Sequence, residues 1–416
     1  MVIGGDRISL RNLGTFSSFK NPVYRIFYGG MVGQMAAMNM QILTGTLLLY
    51  RLTGSAAILG VMSLANALPT LFLSLFGGII ADRVQKKYVL QVGQTASAIV
   101  SLGVALTLTL GYLSTERGGS WWILIVSSLF QGAIMGLMMP SRQAILPEIV
   151  TKEELMNAAS LNVMGMNALR VLAPAAAGFL IDAWGFQAVY YTMTGTYLIA
   201  VVFTTFLPLT GSKSLSGRNA LTDIKEGFQY IRRETTIILL IFFALLGVLL
   251  STPYGLLLPI FTEDILKVGA KGMGILMSVS GIGAIIGSLT LASLPNKKRG
   301  LMMLVSSLFL GIALTGFSFS SSWSLSLALI VFVGLGQAGQ MTLGGTLLQY
   351  YTEATYLGRV MSILMMQFGL ISFSTFAAGL LAEGIGVQWA VGGFAIVLIF
   401  VSVLMLVFVP RLRKLD

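Results

Sequence analysis

Apolar residues along the 416-residue chain gather into twelve runs of the ~20-residue length that crosses a bilayer core. The runs fall near 26–50, 56–80, 88–113, 121–145, 160–181 and 187–208, then 236–259, 271–294, 301–320, 323–348, 357–382 and 388–409. Polar residues collect in the breaks. Glycine and proline recur inside the runs, as spanning helices tolerate. Pro69, Pro140, Pro174, Pro253 and Pro259 each remove a backbone donor, which predicts bends there. Between the sixth and seventh runs the pattern changes. Leu221, Ile224, Phe228 and Ile231 recur at helical spacing, with Asp223, Lys225, Glu226, Arg232 and Arg233 on the other faces. This predicts an amphipathic helix lying on the membrane surface and tethering two bundles.

Composition agrees with a lipid-facing exterior. The chain is 56% hydrophobic and 10% charged, whereas a soluble domain carries roughly 25% charged residues. A net charge of +11 would point to nucleic acid in a soluble protein, but here the cations occupy the breaks. Arg51, Arg117, Lys267 and Lys271 fall on one side, Arg170 lies inside a run, and every other lysine and arginine falls on the opposite side. By the positive-inside rule both termini are expected in the cytoplasm, with the chain multi-pass in the cell membrane. Met1–Lys20 lacks an apolar core ending in a cleavage site, so no leader peptide is expected. With Cys 0 and His 0, thiol nucleophiles, imidazole relays and the usual zinc ligand sets are excluded. No metal or cofactor is expected.

The two halves repeat. Ala176-Ala177-Gly178-Phe179-Leu180-Ile181-Asp182 continues to Gly185 and Gln187, and Ala377-Ala378-Gly379-Leu380-Leu381-Ala382-Glu383 continues to Gly386 and Gln388. All matches share one displacement of 201 residues. A fainter echo, displaced by 214, relates Gly60 to Gly274, Asp82 to Asn296 and Arg83 to Lys297. The expected architecture is therefore all-α: twelve transmembrane helices in two pseudo-symmetric six-helix bundles. The divisions are a terminal segment 1–20, a first bundle 21–208, a linker 209–235, a second bundle 236–410 and a basic tail 411–416.

Between the second and third runs stands Gly78-Ile79-Ile80-Ala81-Asp82-Arg83-Val84-Gln85-Lys86-Lys87. This resembles GxxxDRxGRK, the cytoplasmic signature of the major facilitator superfamily, with Gln85 in place of a glycine. Pro147-Glu148-Ile149-Val150, Glu153-Glu154-Leu155, Asn157–Asn162 and Ile224–Arg233 resemble runs of the branch that holds enterobactin exporters and macrolide-efflux proteins. Two further motifs are partial. Gln131-Gly132 fit RxxQGxGxA, but Ser128 holds the arginine's place; Pro174 and Gly178 are what remains of GPxxGG. The resemblance implies a secondary transporter whose helices one, four, seven and ten line a cavity. It also implies that Asp82 closes an inner gate, toward Gly358 and Arg359 or toward Arg142, with Gly78, Arg83 and Lys86 beside it. Lys86 and Lys87 also read simply as topology charges.

Ionisable groups inside hydrocarbon are costly and therefore candidates for function. No acid falls at the middle of a run, so the desolvated carboxylate of many proton-driven relatives is missing. Arg170, on one helix face with Asn167 and Pro174, is either a contact for an anionic or carbonyl-rich solute or a structural arginine satisfied by backbone carbonyls. Gln34, Met38 and Gln41, then Gln131, Met135 and Arg142, then Gln337 and Gln340 form stripes at helical spacing. Amides beside flexible methionines suit a bulky amphipathic ligand; the alternative is hydrogen bonding between helices, about 0.6 kcal/mol on average. Tyr254 and Gln367 join them as cavity candidates.

These features predict a secondary transporter, not an enzyme, that exports a small amphipathic solute such as a drug or siderophore by alternating access. Proton antiport is left open. The alternative on the same fold is a lipid or lysolipid translocator or an uncoupled facilitator. The expected partners are the solute, the bilayer and, if transport is coupled, protons; no nucleic acid is expected, and the chain is expected to be a monomer.

Overall fold

A computed structural model describes residues 14–209, 229–295, 297–353 and 356–415, with the side chains of 14, 15, 75, 79, 81, 82 and 362 outside the description. Leu221, Ile224 and Phe228 of the expected surface helix, and Asn296 of the second clasp, therefore lie outside the described residues. So does the segment that carries Asp6, Arg7 and Arg11.

Among the described residues there are helices and no strands. They are α1 (Pro22–Thr53), α2 (Ala56–Arg83), α3 (Lys86–Thr109) and α4 (Trp122–Ile149), followed by one helical run, Lys152–Thr205. Gly185 breaks that run at φ 81° and ψ 176°, a conformation that suits a residue without a Cβ; its arms, 152–184 and 186–205, are α5 and α6. The second half contains α7 (Thr235–Ile265), α8 (Gly269–Ser293), α9 (Arg299–Phe319), α10 (Trp323–Tyr351), α11 (Leu357–Ile385) and α12 (Val387–Phe408). Ten runs are long and apolar enough to cross a membrane. They become twelve segments of spanning length when the run is divided at Gly185 and the more polar, 32-residue α1 is included.

Local chemistry sets the ends. The Asn21 side chain accepts from the amides of Val23 and Tyr24 ahead of Pro22, and Gly54 closes α1 in the left-handed conformation. Helix α5 starts eight residues before the apolar run suggests. Thr151 and Glu154 form a capping box there that satisfies the first free amides. Helices α2, α4 and α5 continue through Pro69, Pro140 and Pro174, whereas α7 breaks at Thr252 before Pro253 and passes into a π turn, Phe261–Ile265, after Pro259.

The halves have matching internal packing. Helix α2 lies on α4 as α8 lies on α10, and α3–α4 and α9–α10 correspond in the same way. The fit is close to atomic. A Cβ on Gly132 would fall 1.9 Å from the Asn66 carbonyl oxygen, and one on Gly334 would fall 2.0 Å from that of Ser280. The halves meet along two seams, α5 with α8 and α2 with α11. Large apolar side chains such as Phe72, Val92 and Phe400 point outward, as a hydrocarbon surrounding requires. Past the linker, Ile231 and Tyr230 pack on the second half's core, and the Tyr230 ring stacks on Tyr356 at 4.2 Å.

Candidate functional site

The main cavity, about 500 Å³, is enclosed by α1, α2, α4 and α6 of the first half, with Leu256 of α7 and Phe368, Gly369 and Ser372 of α11. Met38 and Gln41 reach it from α1, and Gln131 and Met135 from α4, because each pair is spaced three or four residues apart along one helix face. Gln131 is 4% exposed, and its Oε1 accepts from the Ser97 hydroxyl at 3.1 Å. Among the described residues, no lysine, arginine, aspartate or glutamate lines this cavity. Tyr190, Tyr197 and Phe368 also line it; periodicity did not single them out, because an aromatic facing a cavity and one facing a core look the same in sequence.

A smaller recess of about 150 Å³ lies at the α5–α8 seam and brings Asn167, Arg170 and Gln337 together with Gly281 and Ser288. The Tyr254 hydroxyl of α7 hydrogen-bonds to Ser280 of α8 at 3.2 Å. Just above, the Ser278 hydroxyl of α8 donates to the Val171 carbonyl of α5. Arg170 thus stands where the two halves touch.

The other amides are placed elsewhere. Gln34 accepts from Gln94 at 3.3 Å, and Gln94 accepts from Thr204 at 2.9 Å, a relay that stitches α1, α3 and α6 inside the first half. Gln340 sets its Nε2 against Gly247 of α7. Gln367 is 5% exposed and lies next to cavity-lining Phe368. Each stripe therefore divides between cavity lining and helix stitching.

At the end of the molecule that carries α1's first turn, the expected gate residues separate. Lys86 is buried and pairs with Glu148 at 2.8 Å, which ties α3 to α4 within one half and does not link the halves. Arg142 lies against the Met35 sulfur at 3.4 Å, also within the first half. Arg83 is exposed, and Gly78 has open space where a side chain would stand. Arg359 lies over the Tyr356 ring at 5.5 Å and, like Gly358, makes further contacts. The Asp82 side chain is outside the described residues.

The opposite end holds a constellation that sequence reasoning missed. Asp264 takes the Tyr50 hydroxyl, Glu263 pairs with Arg51 at 2.8 Å, and Glu383 accepts from the Ser55 hydroxyl at 3.0 Å and the Ala57 amide at 3.2 Å. Arg51 also sits 5.3 Å over the Phe186 ring. Three carboxylates of the second half thus grip three points of the first. Glu383 caps α2, where the helix dipole favours an anion. The partners are more than 200 residues apart in sequence, and no local spacing announces them.

An all-helical fold of two similarly packed halves, joined along two seams, with apolar helices of membrane-spanning length, is that of a multi-pass membrane transporter of the major facilitator superfamily. The chain belongs to the transmembrane secretion effector family, whose profile matches residues 13–416. It is 27% identical over 371 residues to the staphyloferrin A transporter of Staphylococcus aureus, covering 89% of this chain and 90% of the relative. It is 25% identical over 420 residues to macrolide efflux protein A of Streptococcus pyogenes, covering 96% and 99%. In fold it is similar to a D-xylose-proton symporter, with a TM-score of 0.73 at 12% identity over 94% of this chain and 98% of that one.

Proposed function

We propose that this protein exports a small amphipathic solute across the cell membrane by alternating access of its two bundles. The observation that carries the reading is the three-carboxylate latch, in which Glu263, Asp264 and Glu383 hold Arg51, Tyr50 and the α2 N-terminus at one end of the molecule. In this reading, with the termini in the cytoplasm, that end faces outward and the latch holds the outer door closed. The name of one relative, a macrolide efflux protein, supports an outward direction. Mobile methionines and the absence of charge in the main cavity suit an amphipathic solute.

The chain has no native cysteine, so a paired Arg51→Cys and Glu263→Cys variant can be bridged specifically by a reducible bis-methanethiosulfonate linker that replaces the reach of the two lost side chains. Cross-linking is expected to stop solute flux in proteoliposomes and reduction to restore it; flux that continues through the cross-link would overturn alternating access. The same vesicles, with and without an imposed pH gradient, decide whether protons drive the export.

A further inference from the structure

We propose that Gln131 is the donor by which the main cavity selects its solute, and that it takes an uncharged acceptor oxygen, such as a ketone, ester or lactone carbonyl, on an apolar frame. The inference rests on the transporter reading and names the chemistry that the cargo presents.

Gln131 is nearly fully buried, yet its Nε2 has no hydrogen-bond partner. Its Oε1 is held by the Ser97 hydroxyl, which orients the amide; Nε2 has almost no accessible surface at rest, so an acceptor reaches it only with a small shift of the side chains around it. Several donors around the cavity are engaged by the protein's own backbone; Gln41 also lines it but is only part-buried. Thr46 donates to the Ile42 carbonyl, Thr70 to those of Asn66 and Gly132, Ser127 to that of Leu124, and the Asn66 amide to that of Ser128. Among the described residues lining the cavity, Gln131 Nε2 is the buried donor left without a partner.

A buried donor without a partner carries a standing penalty that an arriving acceptor relieves. Water competes with such an acceptor, but methionine, leucine and aromatic carbon make up most of the wall beside its serine, threonine and asparagine groups, and favour a partner with an apolar frame. A carboxylate serves poorly, since no cation lines the cavity to offset its desolvation. A neutral carbonyl matches both the donor and the walls. Ser97 does not line the cavity; it is a positioning residue that keeps Gln131 from turning its oxygen inward.

The test uses the full chain in lipid nanodiscs, with empty discs subtracted, and equilibrium dialysis of three probes: methyl naphthyl ketone, ethylnaphthalene and naphthylamine. Wild type is expected to bind the ketone about tenfold more tightly than ethylnaphthalene, the scale of one net hydrogen bond. Gln131→Leu is expected to bind the two equally, with ethylnaphthalene affinity kept or improved. Ser97→Ala is expected to lower the ketone preference several-fold without loss of ethylnaphthalene binding, a change that a merely structural role would not produce. If Gln131→Leu does not fold, the wild-type ratio and the Ser97→Ala ratio still decide.

Equal wild-type affinities, a preference that survives Gln131→Leu, preferential binding of naphthylamine, or no binding of any probe would each overturn the assignment. Selective binding without flux in vesicles would instead overturn the transporter reading and leave the Gln131 site standing.

Discussion

Gly178 of α5 and Gly274 of α8 touch across the boundary between the two halves, so that a methyl group on either would stand 3.3 Å from the other's α-carbon. The contact has a pseudo-symmetric copy. A Cβ on Gly178 would fall 2.6 Å from the Ala270 carbonyl oxygen, and one on Gly379 of α11 would fall 2.5 Å from that of Ala56. Gly379 lies 201 residues beyond Gly178, and Ala270 and Gly274 lie 214 beyond Ala56 and Gly60. The strong repeat and the faint echo in the sequence are therefore the two sides of one contact, made twice. Small residues let helix backbones approach closely in a membrane, where dispersion contacts drive packing.

Bulk at these points should obstruct the seam. Gly178→Ile or Gly379→Ile must displace backbone, with overpacking that typically costs about 1–3 kcal/mol. Each is expected to lower vesicle flux about tenfold while the protein still inserts and purifies as a folded species. Gly195→Ala, at a position with nothing within 4 Å of the added methyl, serves as the control and should transport normally. Normal flux in both isoleucine variants would remove the seam from the transport cycle.

The latch should behave as a sum of weak ties. The Arg51 and Glu263 side chains are 38% and 24% exposed, which limits their pair to about 1 kcal/mol or less. Glu263→Gln alone should shift the outer door little. The triple variant Glu263→Gln, Asp264→Asn and Glu383→Gln removes all three carboxylates, and a loss of about 1.4 kcal/mol changes the populations tenfold. A reporter at Leu47→Cys, fully buried in this state, should then react with a membrane-impermeant maleimide about ten times faster. An unchanged labelling rate would show that the latch does not hold the door.

Much of the architecture was legible because its signals are local. Apolar runs mark most of the spans to within a few residues, the cations predict which side each break faces, and the Thr151–Glu154 capping box could have placed the start of α5, which the run put eight residues late. The cavity was legible in part. Met38, Gln41, Gln131 and Met135 do line it, but Gln34 and Gln340, which look the same by spacing, bond inward to Gln94 and pack on Gly247. An amide serves a cavity or a neighbouring helix with the same periodicity, and only the helix's rotation decides between them. The latch was not legible, since Tyr50 and Asp264 meet only when α1 and α7 are brought together from opposite halves.

Arg170 lies at the α5–α8 seam, with Asn167 and Gln337 beside it in the smaller recess. If it contacts cargo, Arg170→Lys keeps the charge but loses the planar fork that recognises carboxylate or carbonyl oxygen. The variant should change the ratio of flux between an anionic and a neutral solute of similar size by about tenfold, the scale of one charge-assisted hydrogen bond. A uniform fall in folded protein, with that ratio unchanged, would make Arg170 a structural arginine.

Lys86 gives the sharpest test of the first half's integrity. Its side chain is 6% exposed and its partner Glu148 is 30% exposed, at 2.8 Å, so the ammonium depends on that carboxylate. Glu148→Gln leaves a buried cation without a counter-charge, which costs about 3–5 kcal/mol. The variant should lose thermal stability strongly when followed by fluorescence-detected size exclusion. Replacing both partners, Lys86→Met with Glu148→Leu, removes the orphaned charge and should recover most of the loss. Transport by that rescued double variant separates the two roles: flux near wild type makes the pair a tie between α3 and α4, whereas a stable but inactive protein would return Lys86 to the gate.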